Sequence, residues 1–203
     1  MARHAAQPDF FPEMTKQALA GFGGGSTARS NPTQARPFAR NTPIHLVLRS
    51  EKARGKHSFL RFDREIEGVL RGEAARVGAT LMQASNAGNH LHLLVRFPSP
   101  KAQARFLRAV SGLIARLVMG ARKGRQVLAA GEKFWAGRPF SRIVGWATRT
   151  LANIRRYVTL NAQEFLYKGD SQARRHKARQ ALRNLEELGL VSFSAGPPRI
   201  AKT

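Results

Sequence analysis

Apolar positions along the chain follow two periods, and the elements they predict alternate. Thr42–Ser50, TPIHLVLRS, is a short apolar run with strand character followed by the polar loop EKARGKHS, which predicts a first strand. In FDREIEGVLRGEAARVGA, Ile66, Val69, Leu70 and Val77 recur at helical spacing between Asp63 and Gly78, predicting a first helix. TLMQASNA and HLHLLVRF are strand-like runs joined by NAGN, whose glycine tolerates positive φ; together they predict a hairpin. SPKAQARFLRAVSGLIARLVMGARKG sets Phe106, Leu107, Val110, Leu113, Ile114, Leu117 and Val118 on one helical stripe, with a basic exit at Arg122, Lys123 and Arg125. In FSRIVGW, Phe140, Arg142 and Val144 alternate with Ser141 and Ile143, predicting a fourth strand. ATRTLANIRRYVTLNAQEFLYKG then predicts a helix on Leu151, Ile154, Val158 and Phe165 that stops near Gly169, and SQARRHKARQALRNLEELGL a basic helix ending at Gly189.

The order β-α-β-β-α-β is that of an α+β domain with a ferredoxin-like, antiparallel four-stranded sheet and both helices on one face. A C-terminal helix bearing Tyr157 and a basic tail complete it. Residues 1–41 hold little periodic apolar character and include GFGGGSTARSNPTQARP, so they are expected to form a flexible basic N-terminal extension. Residues 42–167 are the expected folded domain, and 168–203 the basic helix and tail. The architecture hosts many activities and selects none of them.

Charge narrows the choice. Thirty-five Lys and Arg against twelve Asp and Glu give a formal net charge of +23, a surface suited to polyanions, with nucleic acid as the leading partner. No apolar run is long enough to span a bilayer, and the N-terminus lacks the pattern of a secretory signal. The expectation is a cytoplasmic protein with no membrane partner. The chain has no cysteine, so a metal would be held by His, carboxylate, amide or water.

The chemistry-bearing residues concentrate in two stretches. Residues two apart on a strand share a face, so His90 and His92 point together, away from Leu91, Leu93 and Val95. If the helices cover the leucine face, both imidazoles stand on the open one. Two neutral imidazoles at this spacing suit one divalent ion if a third group approaches; they equally suit two satisfied polar side chains at a sheet edge. The helix after the fourth strand carries Tyr157 and, one turn on and on the same face, Asn161. A phenol beside a metal is a possible nucleophile for phosphoryl transfer, whereas a lone tyrosine on an amphipathic helix is also an ordinary core residue. Tyr167 is a weaker nucleophile candidate. His45 could neighbour the site, but the leading expectation is a packed or hydrogen-bonded strand histidine, and Phe134, Trp135 and Trp146 either stack bases or anchor loops. Arg138, Arg142, Arg155 and Arg156 flank the site in sequence as phosphate contacts. Arg122, Lys123, Arg174 and Arg175 add basic charge for DNA binding.

GNHLHLLVRF and RRYVTLN, taken in this order, resemble the single-tyrosine HUH nucleases, named for a His-hydrophobe-His motif. The chain is most similar to the REP-associated tyrosine transposases, over about Thr42 to Phe165. PIHLVLRS resembles the family's first strand and Phe134-Trp135 its aromatic pair before the last strand. Ala87-Gly88 and Ala162 depart from the family's Met-Pro before the Asn-His and its Pro after the Asn. The resemblance implies that His90 and His92, with Asn161, hold Mg²⁺ or Mn²⁺ and that Tyr157 is the nucleophile. It further implies cleavage of single-stranded DNA next to a hairpin, giving a 5′-phosphotyrosine link and a free 3′-hydroxyl, by a monomer or a homodimer. The competing expectation is a non-catalytic nucleic-acid-binding module, a domesticated transposase or a basic RNA-binding protein, which needs the charge and the sheet but neither metal nor phenol.

Overall fold

Ile44, Leu46 and Leu48 are all buried, at most 1% exposed, because the first strand lies inside the sheet and turns its aliphatic side onto two helices. The computed structural model describes residues 36, 38–121, 128, 131–144, 146–164, 167, 170–189 and 191. In them the elements are β1 (Ile44–Arg49), α1 (Asp63–Arg76), β2 (Thr80–Asn86), β3 (His90–Arg96), α2 (Pro100–Met119), β4 (Phe140–Ile143), α3 (Thr148–Glu164) and α4 (Ser171–Glu187). The four strands pair antiparallel in the order β2-β3-β1-β4. This is the expected ferredoxin-like α+β arrangement. The expected N-terminal extension up to residue 35 lies outside the described residues, as do Arg122 and Lys123 beyond α2.

The two faces of the sheet separate by strand alternation. On one face Leu91, Leu93 and Val95 of β3 join the β1 aliphatics against Ile66, Leu70 and Ala74 of α1 and Phe106, Val110 and Ile114 of α2. Burial of each large side chain contributes about 1.5–3 kcal/mol. On the other face α3 lies across the sheet, packing Leu151, Ile154, Tyr157 and Val158 onto Leu94 and Val144. The histidine face is therefore covered rather than open. The apolar stripe of α3 needs a surface to bury against, and only the second sheet face remained.

Several boundaries differ from the periodicity, each for a local reason. β4 ends at Ile143: the Val144 N–H still bonds the Pro43 carbonyl (2.8 Å), but Pro43 has no N–H to return, and the Val144 side chain packs under α3. Trp146 has left the sheet and is 38% exposed, with the Arg96 guanidinium 5.4 Å above its ring. α2 starts at the Ser99 cap, whose hydroxyl accepts from the Ala102 N–H (3.1 Å), and stops where Gly120 adopts φ 61°. The Gly120 and Ala121 N–H groups then bond the Leu117 and Arg116 carbonyls, as a left-handed C-cap requires. Two short 3₁₀ turns, Gly55–His57 and Phe59–Phe62, precede α1 and deliver Phe59 to the core.

Two tethers set the site. At the register shift between Leu81 and Gln83 the β2 ladder bulges, and Met82 packs under α3. Gln83 then donates to the Thr159 hydroxyl (2.8 Å) and the Arg155 carbonyl (3.2 Å), pinning α3 to the sheet. The hairpin preceding His90 is fixed by Asn86, whose side chain accepts from the Gly88 N–H (3.0 Å) and donates to Asp63 (2.8 Å) and the Phe59 carbonyl (2.9 Å). Gly88 takes φ 78° there, so Ala87-Gly88 closes this turn without the proline. Arg36 reaches the edge of β4, donating to Ser141 Oγ (2.7 Å), and Phe38 packs on the core.

Candidate active site

Antiparallel register decides which side chains meet under α3. Pairing of His45 with Leu94, Val47 with His92, and Arg49 with His90 puts all six on the α3 face. β4 adds Arg142 opposite His45 and Phe140 opposite Val47. The result is a layer of adjoining rings. His45 and His92 are nearly coplanar, 7° apart with centroids 5.4 Å apart, and the His90 ring lies 4.8 Å from His92. Tyr157 descends from α3 onto this layer. Its ring stands perpendicular to both His92 (5.5 Å, 90°) and His45 (6.0 Å, 87°). His92 is 1% and Tyr157 8% exposed.

His45, expected as a packed or hydrogen-bonded strand histidine that could neighbour the site, is buried, hydrogen-bonded and a third member of the layer. Its Nε2 lies 3.2 Å from His92 Nδ1 in a buried hydrogen bond. One signal for this is present in the sequence: Ile44, Leu46 and Leu48 take one face of β1, so His45 must share the opposite face with whatever β3 presents there. What spacing could not supply was the pairing of β1 beside β3.

All three imidazoles are neutral. Burial lowers His45 to about 3, helped by the neighbouring Arg142 charge, and His90 to about 4, helped by Arg49. His92 lies well below its ordinary value through burial and its two histidine neighbours. Burial raises the Tyr157 phenol above its usual range. A hydrogen bond from the Asn161 side chain and the charge of Arg175 pull the other way, and Glu164 adds to the rise. Asn161 is itself buried and also donates from Nδ2 to the Tyr157 backbone carbonyl (2.7 Å).

The donor set suits a divalent ion in two respects. His92 Nε2 is buried without a hydrogen-bond partner among the described residues, an arrangement that costs free energy unless something occupies it. His90 Nδ1 lies 2.7 Å from Asn89 Oδ1; donation to that amide oxygen leaves Nε2 with its lone pair, the tautomer a ligand needs. Donation from His92 Nδ1 to His45 does the same for His92. No group of three or more His, Cys, Asp or Glu side chains among the described residues could hold an ion. Further ligands would come from an amide such as Asn161, water or substrate oxygen.

The expected arginines divide by burial. Arg142 is 6% exposed, opposite His45 on β4. Arg156 is exposed on α3 and pairs with Glu186 of α4 (2.6 Å). Arg175 pairs with Glu164 (3.3 Å) next to the phenol. Arg138, Arg155 and Arg174 are partly exposed at the margins. Tyr167 packs against the Leu160, Ala178 and Leu182 cluster between α3 and α4 instead of entering the histidine layer. Phe134 is buried against Phe59, and Trp135 donates from Nε1 to the Ser111 carbonyl (3.0 Å), so this pair anchors its loop to the core.

The fold and site together are a ferredoxin-like sheet with histidines on one strand, covered by a tyrosine-bearing helix. The sequence profile of the family described as "Transposase IS200 like" matches residues 39–161, and the chain belongs to that family. No curated protein matches the chain. A crystal structure of a candidate transposase from Deinococcus radiodurans R1 aligns with a TM-score of 0.41 and 21% identity, covering 63% of this chain and 95% of that one. No helix among the described residues is long and apolar enough to cross a membrane.

Proposed function

We propose that this protein is a metal-dependent, single-tyrosine strand transferase of the HUH type, closest to the REP-associated transposases, that cleaves single-stranded DNA beside a hairpin. The observation that carries the reading is the seating of the Tyr157 ring directly on His92 and His45, within one chain. Family membership supports DNA as the substrate, and the net charge of +23 supports its capture.

In this reading His90 and His92 would hold Mg²⁺ or Mn²⁺, with Asn161 as the amide ligand. The ion, when bound, supplies electrostatic stabilisation of the charge that builds on the scissile phosphate. Asn89 and His45 fix the two imidazoles in the ligating tautomer from behind. The phenol gives up its proton as its oxygen attacks phosphorus, the P–O3′ bond breaks, and the 3′-oxygen takes up a proton and leaves as a hydroxyl; the 5′-phosphate stays on the tyrosine oxygen. Reversal by another 3′-hydroxyl rejoins strands. Because burial raises the phenol's pKa and hides His92 Nε2, the closed layer holds the nucleophile protonated. Loading requires α3 or the Tyr157 ring to shift outward. Arg142 meets a phosphate inside the layer, and Arg138, Arg155, Arg156, Arg174 and Arg175 meet the flanking backbone.

The test is covalent capture. Full-length protein with hairpin-bearing single strands from its own genomic neighbourhood and Mn²⁺ should give a DNA adduct that survives denaturation. Persistence of that adduct in Tyr157→Phe would refute the assigned nucleophile. DNA binding without any adduct in the wild type would favour the non-catalytic binding module.

A further inference from the structure

Between α3 and α4 lies a cavity of about 450 Å³, within the roughly 300–1,000 Å³ of typical small-ligand sites. Its charge comes from Arg156 on α3, which pairs with Glu186, and from Arg179 and Arg183, one turn apart on α4. Its apolar surface comes from Leu160 and Leu182, both nearly fully buried, and its remaining wall from Asn153 and the Tyr157 ring. Tyr157 therefore has two sides. One rests on the histidine layer and the other lines a basic cavity.

The surroundings keep the cavity in place. Leu160 packs with Ala178 and Leu182 of α4, and α4 begins at Asp170, whose carboxylate accepts from the Ala173 N–H (2.8 Å). The Arg156–Glu186 pair (2.6 Å) and the Arg175–Glu164 pair (3.3 Å) bridge the two helices. Guanidinium groups match phosphate in charge and hydrogen-bond geometry, while a leucine floor and a phenol suit the flat face of a base. Both chemistries occur together in one unit of a nucleic acid strand. The family match ends at residue 161, so the α4 half of the cavity is an addition beyond the matched domain.

We propose that the α3–α4 cavity is a nucleotide subsite. It seats the DNA nucleotide flanking the scissile phosphate, with Arg179 and Arg183 on that nucleotide's phosphate and Leu160, Leu182 and the phenol ring against its base. The inference rests on the strand-transferase reading, since it places the seated nucleotide next to the bond that Tyr157 attacks. It assigns α4 a role in choosing where the strand is cut.

The experiment uses full-length protein and the single strand that yields the adduct. Binding by fluorescence anisotropy is measured across a salt series for wild type, Arg179→Ala/Arg183→Ala and Lys177→Ala; Lys177 is an exposed lysine of α4 outside the cavity lining. The double variant should bind at least about tenfold more weakly, and the slope of log K against log salt should fall by about 0.7 for each phosphate that is no longer neutralised. Lys177→Ala should stay near wild type in both binding and adduct yield. An abasic scan of the strand should then show one position next to the cleavage point where base removal weakens wild type but not the double variant. Equal losses in the double variant and Lys177→Ala, or an abasic profile unchanged by the double variant, would overturn the subsite while an intact adduct leaves the transferase reading standing. Absence of any adduct in the wild type overturns both.

Discussion

Acid should loosen this protein before its carboxylates titrate, because folding withdraws three imidazoles from water. The sign follows from linkage: a buried histidine with a lowered pKa binds fewer protons folded than unfolded. Its stabilisation is therefore complete above the unfolded value near 6.5 and is lost as pH falls toward the folded value. For His45, lowered to about 3, going from about pH 8 to pH 5 costs about 2 kcal/mol, since the unfolded state gains the proton and the folded state does not. His90, lowered to about 4, contributes about 2 kcal/mol over the same interval, and His92 acts in the same direction. A loss of about 4 kcal/mol is a large part of the roughly 5–15 kcal/mol that holds a domain together. The assay is urea unfolding of chelator-treated protein, followed by circular dichroism, at steps between about pH 8 and pH 5, a window above most carboxylate titration. With a urea dependence of about 2 kcal/mol per molar, the midpoint should fall by about 2 M. In His45→Gln the pH-dependent loss should shrink by about 2 kcal/mol, whatever the variant's absolute stability. A flat wild-type profile, or a His45→Gln profile as steep as the wild type's, would refute the buried neutral layer.

Two further outcomes follow from the same packing. His45→Ala should weaken Mn²⁺ binding, read by calorimetry on DNA-free protein, by roughly 10–100-fold as expected for a group that orients a ligand; unchanged affinity would mean that His92 needs no support from β1. Leu94→Ala, which opens a cavity under α3 between the histidine layer and Val158, should cost about 2–5 kcal/mol in urea unfolding, and a cost below about 1 kcal/mol would show that α3 is not seated on this face.

The site is partly legible in the sequence. His90 and His92 share a face because strands alternate, and Tyr157 and Asn161 share one because helices repeat every 3.6 residues; both are local periodicities that any chain of this sequence must obey. The leucine face of β3 is legible for the same reason, and α1 and α2 cover it as expected. His45 is not, because its role depends on β1 lying between β3 and β4, a non-local pairing that no period encodes. The expected end of the fourth strand at Trp146 also failed for a non-local reason: the position opposite Val144 is Pro43, which accepts the Val144 N–H but has no N–H to return, so the ladder stops there.

By itself, then, the sequence determined the order of elements, the inward side of each amphipathic segment, the histidine pair, the phenol and the surplus of positive charge. Each of these is written in residue type and in spacing over less than one element. Tertiary structure alone decided that α3 closes the histidine face, that its phenol stands on two imidazoles, that His45 joins them, and that α4 lies beside α3 to leave a basic cavity behind the tyrosine. Those features arise where elements far apart in the chain bury surface against one another, and burial between elements is a property of the packed molecule that no single stretch of residues carries.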